Sequence, residues 1–246
     1  MVNTITTFNT CIRDIQKMRG FYVFLSDHYK IAPEDLSDLL RSELVNLVSA
    51  MDRFIHEFVR IGIINSYTNK TPQTDKCKSI SIKFSTLNKV IECQSRKTPP
   101  TCNEETAEYW INNEIKTILK SMSFQKIDRI KDALSYIWDL DHKIPVIMSK
   151  MHYPFPESTP NANQKFLEKK IDLIVSRRNQ IVHEADYDIS INSKQTININ
   201  WLDDTILFVK EFVYSIYEYL QPIITQYFIG NKSEIWSLFL MAHSKR

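Results

Sequence analysis

The sequence predicts an all-α protein, a helical bundle that admits one small β-hairpin near its C-terminal third. Three observations carry that expectation. Apolar residues recur every three or four positions over most of the chain, the spacing that gathers them on one side of a helix. Polar, proline-containing stretches separate those segments. Only three glycines, Gly20, Gly62 and Gly230, occur in 246 residues, where an average protein has roughly 7%. That is too few for the glycine turns of a β-sandwich or barrel. It also excludes the G-x-G-x-x-G cradle and the Walker A loop, which need closely spaced glycines, and with them dinucleotide oxidoreductases and P-loop NTPases.

Residues 5 to 27 read as a first helix, with Ile5, Phe8, Ile12, Ile15, Met18, Phe21, Tyr22 and Leu25 on one side. The second and longest helix opens at Pro33, whose missing N–H is no loss in a first turn. Glu34 and Asp35 follow, where the helix dipole favours negative charge. It extends to about residue 64, and Leu36, Leu40, Leu44, Leu47, Met51, Phe54, Phe58 and Ile61 form its stripe, widened by Leu39, Val45, Val48, Ile55 and Val59. Such a helix must be covered on a broad face, as a bundle spine or within an interface. A loop at 65 to 78 leads to a helix from Ser85, preferred over a strand through Ile80, Ile82 and Phe84. A loop at 94 to 103 precedes helices at about 104 to 121 and 123 to 140. Pro154, Pro156 and Pro160 mark a break at 152 to 163, since proline cannot sit inside a helix. A helix at 164 to 185 follows. Ile189, Ile191, Ile197 and Ile199 then alternate around a polar run, as a hairpin or an extended loop would. The last helices run from Trp201 to about 228, kinked at Pro222, and from 232 to 243. The expected organisation is a single domain over 1–246, with an N-terminal helix in 1–32, a core in 33–220 and a helical extension in 221–246.

Composition narrows the function classes. With 43% hydrophobic and 24% charged residues the chain has the balance of a folded soluble protein, and its longest apolar stretches run to about five residues, far short of the 20 or so that cross a membrane. The start, Met-Val-Asn-Thr-Ile-Thr-Thr, has neither the basic region nor the apolar core of a secretory signal, so the expected compartment is cytoplasmic. Cys11, Cys77, Cys93 and Cys102 contain no C-x-x-C pair, which points to scattered reduced thiols rather than zinc ligation. Thirty-one basic against twenty-nine acidic side chains give a net charge of +2. Any nucleic-acid contact must therefore come from a local patch.

The chemistry concentrates in 165 to 188, KFLEKKIDLIVSRRNQIVHEADYD. Setting Arg178 at zero and advancing about 100° per residue places Leu167, Ile171, Ile174, Val175, Ile181, Val182 and Ala185 within about 60° of it. Arg178 thus stands in an apolar stripe, where an unpaired charge is costly. On the same scale Asn179 falls at roughly 100° and His183 at roughly 140°, so the three share one arc. An always-charged fork, an amide and an imidazole are the groups phosphoryl chemistry uses together: to stabilise charge, to position and to move protons.

Arg178-Asn179-Gln180-Ile181-Val182-His183 resembles the R-x4-6-H signature of the HEPN superfamily, including the polar residue that commonly follows the arginine, and the longer RRNQIVHEAD is similar to its RiboL-PSP branch. The long helix LLRSELVNLVSAMDRFIHEFV and the helix after Trp201 fit the same plan. The resemblance implies an α-helical HEPN-like bundle that dimerises and brings two motif copies together. It also implies a metal-independent endoribonuclease that needs no cofactor, typically a toxin or phage-defence effector met by an antitoxin or defence partner protein. In that mechanism a ribose 2′-OH attacks the adjacent phosphorus, His183 is general base or acid, Arg178 stabilises the phosphorane, and Asn179 orients a phosphate oxygen or the histidine.

Each assignment has a plainer counterpart. Arg178 is either catalytic or half of a structural ion pair. Arg177, at roughly 260°, is solvated or contacts phosphate. Glu184 and Asp186 are charge partners of the site's cations or polar residues of a helix end. Lys165, Lys169 and Lys170 guide RNA or form a solvated face. Tyr153, Tyr187 and Trp201 stack on bases or pack. His28, His56, His142, His152 and His243 lack partners at recognisable spacing, although His56 lies on the long helix and can support the site. At the level of the whole chain the counterpart is a non-catalytic HEPN-like module that binds nucleotide or protein in a sensor or defence complex.

Overall fold

The computed structural model describes residues 2–68, 70–96, 105–188, 190 and 192–243, with side chains between 4 and 221. Nine helices appear among the described residues: α1 (Val2–Tyr29), α2 (Pro33–Tyr67), α3 (Asp75–Lys78), α4 (Phe84–Ser95), α5 (Ala107–Lys120), α6 (Ile127–Leu134), α7 (Lys143–Met148), α8 (Pro160–Glu184) and α9 (Ile199–His243). Two strands, β1 (Tyr187–Asp188) and β2 (Ser193–Lys194), pair antiparallel with Tyr187 opposite Lys194. The protein is all-α, as its apolar spacing requires. The chain divides into two compact units, one of Met1–Glu57, Ser123–Lys131 and His142–Tyr217, the other of Phe58–Met122, Asp132–Asp141 and Glu218–Arg246.

The first unit holds the motif. Leu40, Leu44, Leu47, Met51 and Phe54 of α2 are buried, as are Phe8, Ile12 and Ile15 of α1 and Leu202, Phe208, Val209, Phe212 and Ile216 of α9. The Phe8 ring meets Phe54 and Tyr214 edge-on at 6.0 and 6.2 Å. Each such large side chain removed from water contributes roughly 1.5–3 kcal/mol. Tyr22, not its neighbour Phe21, takes the buried position late in α1, and Phe21 is 64% exposed. In the second unit α4 and α5 pair through the Lys89 ammonium 3.4 Å above the Trp110 ring, and Thr86 Oγ1 donates to Glu114 Oε2 at 3.0 Å.

Several boundaries differ from expectation for local reasons. Helix α8 begins at Pro160 rather than four residues later, because proline at the first helical position loses no hydrogen bond. Thr159 Oγ1 caps it by accepting from the Ala162 N–H at 3.3 Å. Helices α3 and α7 are too short to show a period in sequence. The segment 123 to 140 forms only the eight residues of α6. The hairpin exists, but Ile199 opens α9 rather than closing a strand, and Asn192 takes a left-handed φ of 50° at the turn. Ile189 and Ile191 lie outside the described residues, as do residues 97–103 of the expected 94–103 loop. The helix expected from Trp201 to about 228 and the short one expected from 232 to 243 are one helix, α9.

Candidate functional site

Helix α8 carries the arc of polar residues to its C-terminal end. Leu167, Ile171, Ile174 and Val175 bury its apolar stripe. Past Val175 the stripe emerges: Ile181 is half-buried, and Val182 is 47% exposed. Arg178 stands where it surfaces and is half-buried instead of enclosed. Its Nη1 donates to Asn179 Oδ1 at 3.0 Å, and its Nε is buried with no hydrogen-bond partner. Arg178 makes no ion pair among the described residues. Asn179 and His183 lie one turn apart on the wall of an open groove of about 680 Å3, with Asp172, Ser176 and Glu184 beside them and Lys126 to Asp128 opposite. His183 is exposed there.

The buried charge of this region belongs to other residues. Helix α8 ends in two consecutive left-handed residues, Ala185 (φ 50°) and Asp186 (φ 61°), whose N–H groups both return to Gln180 O. That backbone turns the Asp186 carboxylate inward, where the residue is 1% exposed between two arginines. Arg41 of α2 donates from Nε to Asp186 Oδ2 at 2.6 Å and from Nη2 to Gln195 O at 2.6 Å. Arg177 donates from Nη2 to the same Oδ2 at 2.9 Å, and its Nη1 stands 2.7 Å from Oδ1 as an ion pair without hydrogen-bond alignment. Arg177 also donates to the Gln195 side chain. Arg177 is therefore neither solvated nor facing a phosphate. Burial lowers its pKa, the Asp186 charge opposes that shift, and the neighbouring Arg41 adds to it. Nearby, Lys194 of β2 reaches Asp38 of α2 at 2.8 Å and draws that carboxylate below its usual range.

Other sequence candidates fall elsewhere. Lys170 pairs with Asp204 over the rings of Tyr153, Phe166 and Phe208. Burial alone would lower its pKa, but hydrogen bonds to Asp204 and Tyr153 hold it raised. Its ammonium is committed inside the unit. Lys165 and Lys169 are exposed. Tyr153 donates to Asp204 Oδ1 at 2.8 Å, which makes it a packing residue. Tyr187 is 47% exposed in β1, with its hydroxyl donating to Asn192 O at 3.0 Å. His56 stands 3.5 Å from Asp52 and against the Phe124 ring. No group of three His, Cys, Asp or Glu among the described residues is placed to hold a metal ion. No described helix is long and apolar enough to cross a membrane.

Arg41 was not among the sequence candidates, yet it was accessible by the argument that selected Arg178. Four and seven residues on from it are Val45 and Val48, so it occupies the widened stripe of α2.

The family model for RiboL-PSP-HEPN domains matches residues 9–221. The chain belongs to that family. Neither the comparison with curated proteins nor that with solved structures finds a match. In this HEPN domain the RNQIVH string is the C-terminal end of α8, half-buried through Ile181 and exposed at Val182 and His183, and the adjoining Arg177, Glu184 and Asp186 divide between the buried cluster and the groove.

Proposed function

We propose that the protein is a metal-independent endoribonuclease acting as a homodimer in a toxin or phage-defence setting. The observation that carries this reading is the accessible arrangement of Arg178, Asn179 and His183: a guanidinium with no ion-pair partner among the described residues, bonded to an amide that shares an open groove with an exposed histidine. In the reaction a ribose 2′-OH gives its proton to the general base as its oxygen bonds to phosphorus. The P–O5′ bond then breaks, and the leaving oxygen takes a proton from the general acid. His183 fills one of these roles and the His183 of a second copy is available for the other. Arg178 balances charge on the phosphorane, and Asn179 orients the arginine.

Cleavage should survive EDTA, leave 2′,3′-cyclic phosphate ends and spare DNA of the same sequence, because only RNA supplies the nucleophile. His183→Ala should lower the rate by about 10²- to 10⁴-fold. Loss of activity to chelator with recovery on adding a divalent metal, or cleavage of the DNA, would overturn the mechanism. One observation favours a second reading. Asp128, Asp172 and Glu184 line the same groove, which repels a polyanion and suits a cationic protein segment. A folded dimer that leaves RNA intact would support that non-catalytic module.

A further inference from the structure

We propose that Arg41 is a positioning residue for His183, acting through Asp186; the inference rests on the ribonuclease reading of the α8 site. His183 is exposed, and its ring makes no hydrogen bond among the described residues. Its place is therefore set by the backbone of the last turn of α8. A final helical turn frays unless its end is held, since its carbonyls have no partners further along the helix. Here the end is held by Asp186, three residues beyond His183. The Asp186 N–H returns to Gln180 O at 3.1 Å, and its own carbonyl accepts from Gln195 N at 2.9 Å.

Arg41 ties that turn to the core. It lies 145 positions away in sequence, is 5% exposed, and sits beside the buried Leu40 on α2. Its fork makes four bonds: Nε to Asp186, Nη2 to the Gln195 carbonyl, and Nη1 to Ser37 Oγ at 2.7 Å and to Asp38 Oδ1 at 3.2 Å. One planar group thus joins the helix end, the segment that leaves β2 at Gln195 and the spine of the unit. Lysine offers the same charge on a single nitrogen and cannot reproduce that geometry. Arg177 also binds Asp186, but it belongs to α8 itself and cannot fix α8 against α2.

The test compares the full-length chain with Arg41→Lys and, separately, Asp186→Asn, using Arg19→Lys as a control that disturbs a half-buried fork elsewhere in the same unit, to the buried Glu43. Melting curves establish that each is folded at the assay temperature. Arg41→Lys is expected to lower kcat about 10- to 100-fold with KM for RNA unchanged, the signature of a misplaced reacting group. The His183 ring signals in NMR should shift or broaden in Arg41→Lys and Asp186→Asn and stay in place in Arg19→Lys. Unchanged kcat together with an unmoved His183 signal would overturn the proposal. Unfolding of both variants at the assay temperature would also overturn it, because the cluster would then hold the fold and not the histidine. If the wild-type chain cleaves no RNA, the ribonuclease reading fails while the His183 signals still decide whether Arg41 positions that ring.

Discussion

Two adjacent arginines have opposite surroundings, and substitution should separate them. Arg178 leaves no carboxylate stranded when removed, because its only described bond is to the Asn179 amide and its Nε is already unsatisfied. Arg178→Met should therefore abolish cleavage while melting at or above wild type. Arg177→Met should instead destabilise by roughly 3 kcal/mol, since it removes one of two cations from a buried carboxylate. A melting curve of each beside an RNA-cleavage gel decides both. If Arg178→Met melts far below wild type, Arg178 is structural. The structural ion pair that the apolar stripe raised as an alternative for Arg178 is found one residue earlier. Ala185, at φ 50°, carries the steric cost of a Cβ in the left-handed region. Ala185→Gly should raise stability by about 1 kcal/mol, or roughly 2–4 °C in a chain of this size. An unchanged or lower melting temperature would show that the turn is not strained.

At the scale of the helices, two glycines make opposite predictions although both sit mid-helix. Gly20 of α1 has open space where a Cβ would go, whereas a Cβ on Gly62 of α2 would stand 2.4 Å from Ile137 Cγ2 and 3.0 Å from Ile137 Cβ. Gly20→Ala should stabilise by about 0.5–1 kcal/mol, the ordinary helix-propensity gain. Gly62→Ala makes the same gain but overpacks a β-branched neighbour, at a cost of about 1–3 kcal/mol, so the net effect should be destabilising. Chemical denaturation of both variants measures the difference, and a shift of the same sign in each would show that Ile137 moves aside. Nothing in the sequence distinguishes the two glycines. The distinction depends on a residue far along the chain that arrives only with folding.

For the whole molecule the central expectation is self-association. One Arg178–Asn179–His183 set supplies a single histidine for a reaction with two proton transfers, and the same helix end exposes Val182 and half-exposes Ile181. We expect a dimer at micromolar concentration by sedimentation, with Val182→Glu weakening both association and cleavage. A fully active monomer would rule out a site shared between copies.

By itself the sequence determined the fold class, the long α2 stripe, and the string that marks α8, because periodic apolar spacing and a short local motif are complete within one segment. It located the polar arc of Arg178, Asn179 and His183 for the same reason: three residues on one helix keep their angular relation whatever surrounds them. Only the tertiary structure decided which charges are buried. Arg41, Arg177 and Asp186 meet across α2, α8 and the hairpin, and the wheel of a single helix cannot show a partner that lies on another. The emergence of the α8 stripe after Val175 was likewise hidden, since apolar periodicity fixes which side of a helix can be covered but not how far along it a neighbouring helix reaches.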